Sequence, residues 1–213
     1  MNRFVKISER KYDSVLFKLD IDSIKSIKNA KWNLFKWQSL TLMKDPMTLT
    51  VYQQLLQDVR PKTIIEFGSY EGGTALWIND ILSIFQNNFM IHTFDINSDN
   101  YKVNNEKIKF HHLDNYNIKQ YLIENDNIFK NIEHPVIVIE DSHINVKEVL
   151  FEIDRYLIAG DYVIVEDAID LNKNKITKDF AMKANYLVDT KYCDFWGYNN
   201  TYNLNSFLIK VDK

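Results

Sequence analysis

The feature that most constrains the fold is a glycine-rich turn that follows an apolar stretch. Three of the five glycines in the chain lie in this turn, at Gly68, Gly72 and Gly73. The β-branched run 63–65 ahead of them predicts a buried strand, and the apolar spacing over 74–85 predicts a helix. A strand, a tight turn and a helix form the first unit of an α/β sheet, whose ligand binds at the carboxyl end of the strand.

The spacing of the turn discriminates between classes of ligand. A dinucleotide site has the pattern GxGxxG, and a phosphate loop ends in Lys followed by Ser or Thr. This chain instead has Glu66-x-Gly68-x3-Gly72-Gly73, with Ser69 directly after the first glycine. An acidic residue before the first glycine suits a ligand that carries a cation or hydroxyl groups rather than phosphates. The pattern resembles motif I of the methyltransferases that use S-adenosylmethionine (SAM); the alternative is a turn that only joins a strand to a helix.

Size and composition limit the classes of protein to which the chain can belong. With 213 residues, 46% of them hydrophobic and 14% aromatic, it fits one domain with a full core. A net charge of −3 offers no basic field for nucleic acid, and no apolar run approaches the ~20 residues of a membrane span. The amino terminus lacks the apolar core of a signal peptide, and the single cysteine, Cys193, excludes an intramolecular disulfide. We expect a cytoplasmic protein without nucleic-acid or membrane partners.

Two segments precede the first predicted strand. Residues 1–34 are amphipathic and rich in charge, which predicts a helical arm that packs on the main domain, residues 35–213. Pro46 suits the first turn of a helix, and the apolar periodicity after it predicts a helix that runs up to the next proline. For the tryptophans Trp32 and Trp37, a place in the core or in an interface is favoured over a cap on the ligand cleft.

Polar side chains follow the next two predicted strands. Segment 89–97 predicts a strand that reaches Asp95, where a carboxylate can accept both hydroxyls of a ribose. Segment 108–113 predicts a third strand, which runs into Asp114 and Asn115. A side chain of either type at that point can bind the amino group of adenine. For Asp114, capping of the following helix has equal weight.

Two further strands bring carboxylates to one edge of the predicted sheet. Runs 135–139 and 162–165 predict buried neighbouring strands, and an acidic pair follows each of them. The four acidic residues are Glu140, Asp141, Glu166 and Asp167. Crowded carboxylates repel one another, and oxygen ligands at strand ends suit a hard divalent cation such as Mg²⁺. The alternative is that these acids cap neighbouring helices and bind backbone amides.

The carboxyl-terminal part predicts the edge of the sheet. Residues 170–175 are polar and predict a flexible loop near the acids, and residues 178–187 predict a helix. Segment 192–211 predicts two antiparallel strands joined by an asparagine-rich turn. For Trp196, Tyr198 and Asn199, an ordinary place in this hairpin is favoured over a place in a substrate pocket.

Taken together, these residues resemble a known family, the cephalosporin hydroxylase-type proteins, which group with the rhamnosyl O-methyltransferases. The shared positions are Trp37-x-Ser39-x4-Lys44-x-Pro46, Tyr52-Gln53, Arg60-Pro61-x3-Ile65-Glu66-x-Gly68-x3-Gly72-Gly73-x-Ala75-Leu76, Phe94-Asp95-Ile96, Asp141-Ser142, Val163-Ile-Val-Glu166-Asp167 and Thr201-Tyr202-Asn203-x3-Phe207-Leu208. The resemblance implies a Rossmann-like class I methyltransferase fold: a mostly parallel seven-stranded sheet with a carboxyl-terminal antiparallel hairpin and an amino-terminal helical segment. Departures are Ser39 for a usual glycine, Thr48 for a common aspartate, and Asp-Ser-His at the acidic strand end, which leaves the family counterpart of His143 open.

The resemblance also implies roles for single residues. Asp141, Glu166 and Asp167 correspond to ligands of a Mg²⁺ ion, an arrangement similar to that of the catechol O-methyltransferases. Asp141 and His143 are the predicted catalytic residues, His143 as general base or as a structural hydrogen-bonding group. The predicted cofactor-binding residues are Glu66, Gly68, Ser69, Tyr70, Gly72, Gly73, Thr74, Asp95, Asp114 and Asn115.

The expected activity is SAM- and Mg²⁺-dependent O-methylation of a small-molecule acceptor, a sugar or natural-product hydroxyl, by a homo-oligomer. The sequence leaves N- and C-methylation open. A NAD-dependent oxidoreductase is an alternative, because one fold carries several functions; the spacing of the glycines and the lack of a Tyr-x3-Lys at Tyr162 or Tyr192 count against it. The remaining alternative is a SAM-binding subunit that is active only within a complex.

Overall fold

A central β-sheet dominates the computed structural model, which describes residues 2–18 and 35–212. Its strands, and those of a two-stranded ribbon, are β1 (Phe4–Val5), β2 (Lys36–Trp37), β3 (Leu40–Thr41), β4 (Thr63–Phe67), β5 (Met90–Asp95), β6 (Ile108–His112), β7 (Val136–Glu140), β8 (Tyr162–Val165), β9 (Tyr186–Asp189) and β10 (Phe207–Lys210). The helices are α1 (Pro46–Val59), α2 (Gly73–Ser83), α3 (Ile118–Glu124), α4 (Asp126–Lys130), α5 (Val146–Ile153), α6 (Leu171–Lys183) and α7 (Thr190–Cys193).

The sheet has the order β6-β5-β4-β7-β8-β10-β9-β1 within the described residues. Strands β4 to β8 pair in parallel, whereas β10 is antiparallel to both β8 and β9. The predicted mostly parallel α/β sheet is therefore confirmed. Its strand count is eight rather than seven, because Phe4–Val5 pairs with the outer edge of β9.

The middle of the sheet is buried on both of its faces. Strands β4, β7 and β8 are buried at every position, as expected for the central parallel strands of an α/β sheet. Helix α1 starts at the predicted Pro46, and the carboxylate of Asp45 accepts hydrogen bonds from the first-turn amides of Met47 and Thr48. The predicted helix before the first strand is thus confirmed.

The carboxyl-terminal part differs from the prediction in three places. Residues 170–175 do not form a loop, because Asp170 caps α6 by accepting a hydrogen bond from the Lys173 amide at 2.8 Å. The helix ends at Lys183, so residues 186–187 belong to β9.

The third difference is that Tyr192 and Cys193 lie in α7 rather than in a strand. Strands β9 and β10 are neighbours, but residues 190–206 join them instead of a tight turn. Asn199 and Asn205 are buried in this connection, and their side-chain oxygens accept hydrogen bonds from Arg10.

The amino-terminal segment packs on that connection. Residues 2–18 contain β1 and two short 3-10 helices, Ile7–Glu9 and Val15–Lys18. Two ion pairs fasten the segment: Arg3 to Asp189 at 2.8 Å and Arg10 to Asp194 at 2.6 Å. The rest of the predicted arm, 19–34 with Trp32, lies outside the described residues. In the part of the chain that is described, no helix combines the length and the apolar character needed to cross a membrane.

Candidate functional site

A cavity of about 630 Å³ opens at the carboxyl ends of the parallel strands. This is the edge where ligands bind in open α/β sheets. Five of the ten predicted cofactor-binding residues line the cavity. They are Gly68, Tyr70, Asp95, Asp114 and Asn115. The predicted catalytic and metal-binding residues Asp141, His143, Glu166 and Asp167 line it as well, so the fold brings both predicted groups to one cavity.

The turn after β4 needs Gly68 because another part of the chain passes against it. Gly68 has φ +104°, and a Cβ there would lie 2.8 Å from the carbonyl carbon and oxygen of Asp141. The amide of Asp141 in turn donates to the carbonyl of Phe67 over 2.8 Å. The glycine therefore lets the end of β7 approach β4 closely, which places Asp141 at the cavity.

The other two glycines of the turn serve packing in this structure. A Cβ on Gly73 would lie 2.1 Å from the carbonyl oxygen of Thr41, and one on Gly72 would lie 2.5 Å from Val103. The ribbon β2–β3 and the chain after β5 thus close on the turn. Neither glycine lines the cavity, nor do Glu66, Ser69 and Thr74. Their roles in cofactor binding stay predictions.

Glu66 is buried behind the turn. Its Oε2 accepts a hydrogen bond from Thr93 at 2.6 Å, and the Thr93 hydroxyl lies 2.5 Å from that of Ser69. Its Oε1 has no hydrogen-bond partner among the described residues. Burial raises the pKa of Glu66 to about 8, although the Thr93 hydrogen bond and the charge of Lys44 both lower it. A buried carboxyl oxygen without a partner lowers stability, and the raised pKa favours the neutral form, which costs less to bury than a carboxylate.

Two acidic residues that line the cavity, Asp95 and Asp114, are held by backbone amides. Asp95 accepts hydrogen bonds from the amides of Tyr70 and Asn97, each over 2.9 Å. Asp114 accepts one from the Tyr116 amide at 3.0 Å and so caps the turn that follows. The capping role considered for Asp114 is thus confirmed, and its contact with adenine stays a prediction because the side chain also lines the cavity.

Asn115 connects the ends of β6 and β7. It is buried, and its side-chain amide donates to the hydroxyl of Ser142 at 2.7 Å and to the carbonyl of Ile144 at 3.3 Å. These bonds hold the loop that carries Asp141 and His143. The structure therefore gives Asn115 a supporting role in the wall of the cavity.

Asp141, His143 and Asp167 form the one group in the described chain whose ligand atoms suit a metal ion, all lying within 4.8 Å of one another. Nε2 of His143 lies 3.6 Å from Oδ1 of Asp141 and 3.5 Å from Oδ2 of Asp167. Burial and the charge of Glu166 raise the pKa of Asp167. A carboxylate in that position is stabilised by a nearby cation, so this donor set fits a hard divalent ion.

The other two acids of the predicted cluster have different partners. Glu166 is buried, accepts a hydrogen bond from the Tyr52 hydroxyl and lies 3.5 Å from the ammonium of Lys44. Glu140 accepts hydrogen bonds from the amide and hydroxyl of Ser142 at 3.1 and 2.7 Å. Binding of backbone amides, the alternative to a metal site, therefore describes Glu140. That Glu166 binds a metal stays a prediction.

Lys44 is a site residue to which the sequence assigned no role. Its side chain is buried, and Nζ lies 2.5 Å from Oδ2 of Asp141 as well as close to Glu166. Burial lowers its pKa, but the charges of Asp141 and Glu166 outweigh this, so the pKa lies well above its ordinary value. Lys44 belongs to the run Lys44-x-Pro46 that the chain shares with the family, which marks the residue as a candidate. The sequence does not show which carboxylates it pairs with.

Lys173 is a second buried cation of the site, and its sequence context does not indicate that role. Its Nζ lies within hydrogen-bond distance of Nδ1 of His143 at 3.0 Å and of the carbonyl of Glu166 at 2.8 Å, and it forms an ion pair with Oε2 of Glu140 at 3.2 Å. An ammonium group has three hydrogens and no lone pair, so Nδ1 of His143 accepts. The neutral imidazole consequently carries its proton on Nε2, which faces Asp141 and Asp167.

Comparisons with known proteins agree with this fold. A CmcI structure in the apo form superimposes with a TM-score of 0.71 at 22% identity, over 96% of this chain and 88% of that chain. A CmcI structure with Mg-SAM gives a TM-score of 0.70 at 22% identity, over 100% and 92% of the two chains. At 22% identity, this structural similarity establishes that the chain shares the fold of CmcI and says nothing about its activity.

Sequence comparisons give the family. The rhamnosyl O-methyltransferase of Mycobacterium leprae (strain TN) is 26% identical over 198 residues, which cover 85% of this chain and 86% of that protein. For the Mycobacterium tuberculosis H37Rv relative of the same description the identity is 25% over 162 residues, 72% of this chain and 64% of the relative. The family model described as Rhamnosyl O-methyltransferase/CmcI matches residues 29–186. The chain belongs to the rhamnosyl O-methyltransferase/CmcI family.

Proposed function

We propose that this protein is a SAM- and Mg²⁺-dependent O-methyltransferase that acts on a hydroxyl group of a small molecule, of the sugar or natural-product type. The observation that carries the proposal is one cavity lined by two groups of side chains. Asp95 and Asp114 end or follow β5 and β6 on one side of β4, and the cluster of Asp141, His143 and Asp167 follows β7 and β8 on its other side. The family relatives described as rhamnosyl O-methyltransferases, and the CmcI structure with Mg-SAM, support the same activity.

Asp95 and Tyr70 would hold the ribose end of SAM, whose sulfonium supplies the methyl group. Each carboxylate oxygen of Asp95 uses one lone pair on a backbone amide and keeps a further one for a hydroxyl. The amides fix the orientation of the carboxylate before a ligand arrives. Gly68 contributes backbone rather than side chain to the wall between this end and Asp141. The chain thus orients the donor along the cavity, which is the main requirement of an in-line displacement.

Asp141, Glu166 and Asp167 would hold Mg²⁺, which when bound lowers the pKa of an acceptor hydroxyl and orients it. Asp141 and Asp167 face one another across His143 in this structure. Glu166 follows β8 directly, and its amide donates to the Glu140 carbonyl at 2.9 Å, so the two strand ends lie side by side. The carboxylates therefore come from neighbouring strands of a rigid sheet, which limits the cost of ordering them.

His143 remains the predicted general base. Its side chain is half exposed to the cavity, within reach of an acceptor. In the arrangement seen here, however, Lys173 occupies Nδ1 and the proton sits on Nε2. Proton uptake by the ring therefore requires that the bond to Lys173 breaks, and otherwise the Nε2–H group of His143 faces Asp141 and Asp167.

The remaining features of the proposal rest on sequence. We further propose a cytoplasmic location and a homo-oligomeric state, as expected from the sequence. No basic field favours a nucleic-acid partner, since the net charge is −3.

The test is a calorimetric titration of SAM into the wild type and Asp95→Ala, with Mg²⁺ and with a chelator. We expect micromolar binding that Asp95→Ala loses. Asp99→Ala is the matched control, because Asp99 is exposed and does not line the cavity. A wild type that binds no SAM under either condition contradicts the proposal. Hydroxylated sugars and natural products are then screened by release of S-adenosylhomocysteine.

A further inference from the structure

The buried ammonium of Lys44 occupies the space between two residues that are predicted to bind the same metal ion. It lies 2.5 Å from Oδ2 of Asp141 and 3.5 Å from Oε1 of Glu166. Its side chain is 4% exposed, so water screens these contacts little. Asp141 and Glu166 thus share a protein cation where the proposed function places a divalent one.

A divalent ion held by Asp141 and Glu166 would lie close to this ammonium. Like charges at a few ångströms repel strongly in a poorly solvated site. Both cations also seek the same carboxylate oxygens. Binding of the ion is therefore unfavourable while Lys44 keeps its present position. The cause is electrostatic repulsion and competition for the carboxylates, whether or not there is room for both cations.

The backbone around Lys44 is anchored, so a response of the residue is confined to its side chain. Leu42 is fully buried, and its carbonyl accepts a hydrogen bond from the Lys44 amide at 2.9 Å. On the other side, Asp45 is held by its capping bonds to α1. A lysine side chain has four rotatable bonds and can redirect its ammonium from a fixed backbone.

Glu66 offers the ammonium a second position. The charge of Lys44 lowers the pKa of Glu66, so an ammonium turned toward Glu66 would favour the ionised carboxylate over the protonated form that burial favours. Oε1 of Glu66 is the buried carboxylate oxygen that lacks a hydrogen-bond partner among the described residues. An ammonium that leaves Asp141 and Glu166 would satisfy this oxygen and remain paired within the protein.

We infer that Lys44 competes with the divalent cation for Asp141 and Glu166, and yields to it by turning to the unpartnered oxygen of Glu66. Lys44 is a positioning residue in this scheme. Without the ion it holds the carboxylates of Asp141 and Glu166 in place, and by competing with the ion it lowers the affinity of the site so that the ion can dissociate. The inference rests on the metal site of the proposed function. It adds that Lys44 and Glu66 set the affinity of that site in opposite directions.

The test measures Mn²⁺ binding without SAM or acceptor, from the electron paramagnetic resonance signal of free Mn²⁺ after removal of metals by chelation. We expect the dissociation constant of Lys44→Met to fall about tenfold or more, because a positive charge beside the ion is lost. We expect that of Glu66→Gln to rise severalfold, because a neutral amide oxygen accepts the ammonium less strongly than a carboxylate does. In the double variant Lys44→Met/Glu66→Gln, the second substitution should change the Mn²⁺ dissociation constant little, because no ammonium remains to pair with residue 66.

Lys130→Met is the matched control, because it removes the same charge from an exposed ion pair on α4. Thermal unfolding establishes that each variant is folded, and Lys44→Gln is the second neutral variant should Lys44→Met not fold. Unchanged or weaker Mn²⁺ binding by the folded neutral variant overturns the inference. Absence of Mn²⁺ binding by the wild type instead contradicts the metal site of the proposed function, and the SAM titration tests the methyl donor separately.

Discussion

The ammonium of Lys173 donates a hydrogen bond to Nδ1 of His143 over 3.0 Å, and this contact decides where the proton of the imidazole lies. The lysine is buried at the start of α6, where its other two partners, the Glu166 carbonyl and Glu140, fix its position. Nε2 of His143 therefore bears the proton that faces Asp141 and Asp167. The two buried lysines of the site act on different groups: Lys44 on the carboxylates and Lys173 on the histidine.

Replacing Lys173 by methionine should release the imidazole from this tautomer. Nitrogen-15 NMR of histidine-labelled protein separates protonated from unprotonated ring nitrogens. For the wild type at a pH where the ring is neutral, we expect His143 to show protonated Nε2 and unprotonated Nδ1. In Lys173→Met the two signals should move toward the averaged values of a free imidazole. Lys175→Met, an exposed position on the same helix, should leave them unchanged; a wild type protonated at Nδ1 contradicts the assignment.

Replacing Asp167 by asparagine should remove one carboxylate from the proposed metal site while keeping its shape. We expect methyl transfer to fall by about a hundredfold or more, because metal affinity depends on the charge of the ligands. Release of S-adenosylhomocysteine with increasing Mg²⁺ measures the effect. Asp179→Asn, on the outer part of α6, is the control and should retain activity. Equal activity of Asp167→Asn and the wild type at low Mg²⁺ would show that this carboxylate is not a ligand.

The burial of Glu66 should make stability depend on pH in a defined window. Its pKa is raised from 4.5 to about 8, so between these values the folded state holds a proton that the unfolded state releases. The free energy of unfolding should therefore fall as pH rises from about 4.5 to about 8, and this contribution levels off above the folded pKa. In Glu66→Gln the fall should be shallower.

Urea unfolding at a series of pH values measures this difference. Glu124→Gln is the control, because Glu124 is exposed at the end of α3 and should keep the wild-type slope. Parallel curves for the wild type and Glu66→Gln would show that Glu66 has the same proton affinity in the folded and unfolded states.

Gly73→Ala tests whether this glycine is needed for packing. A Cβ at that position would lie 2.1 Å from the carbonyl oxygen of Thr41, so the ribbon β2–β3 must move away. We expect a loss of about 2–4 kcal/mol in the free energy of unfolding by urea. Gly160→Ala is the comparison that measures the cost of backbone conformation without a steric clash. Gly160 has φ +95°, and a Cβ built there would have no heavy atom within 4 Å. We expect this variant to lose about 1 kcal/mol in the free energy of unfolding. A neutral Gly73→Ala would contradict the close approach.

Much of the sheet could be predicted from local pattern. The apolar run that ends at Glu66, the glycine turn and the helix from Pro46 have the predicted types, because each depends on residues that are near in sequence. The predicted ends of the elements were wrong where one side chain determined whether a segment forms a helix or a loop. Asp170 turned a polar, loop-like segment into the first turn of α6 by capping it.

The same distinction between local pattern and distant contacts applies to the residues of the site. The sequence alone determined that Asp95, Asp141 and Asp167 follow parallel strands and so meet at one edge, because strand direction and connection follow from the βα repeat. Only the tertiary structure decided which cations these acids meet. Lys44 reaches Asp141 across 97 positions of sequence, and Lys173 reaches His143 across 30. Such contacts depend on how distant segments pack and on where a buried charge finds its partner, which no local pattern of residues encodes.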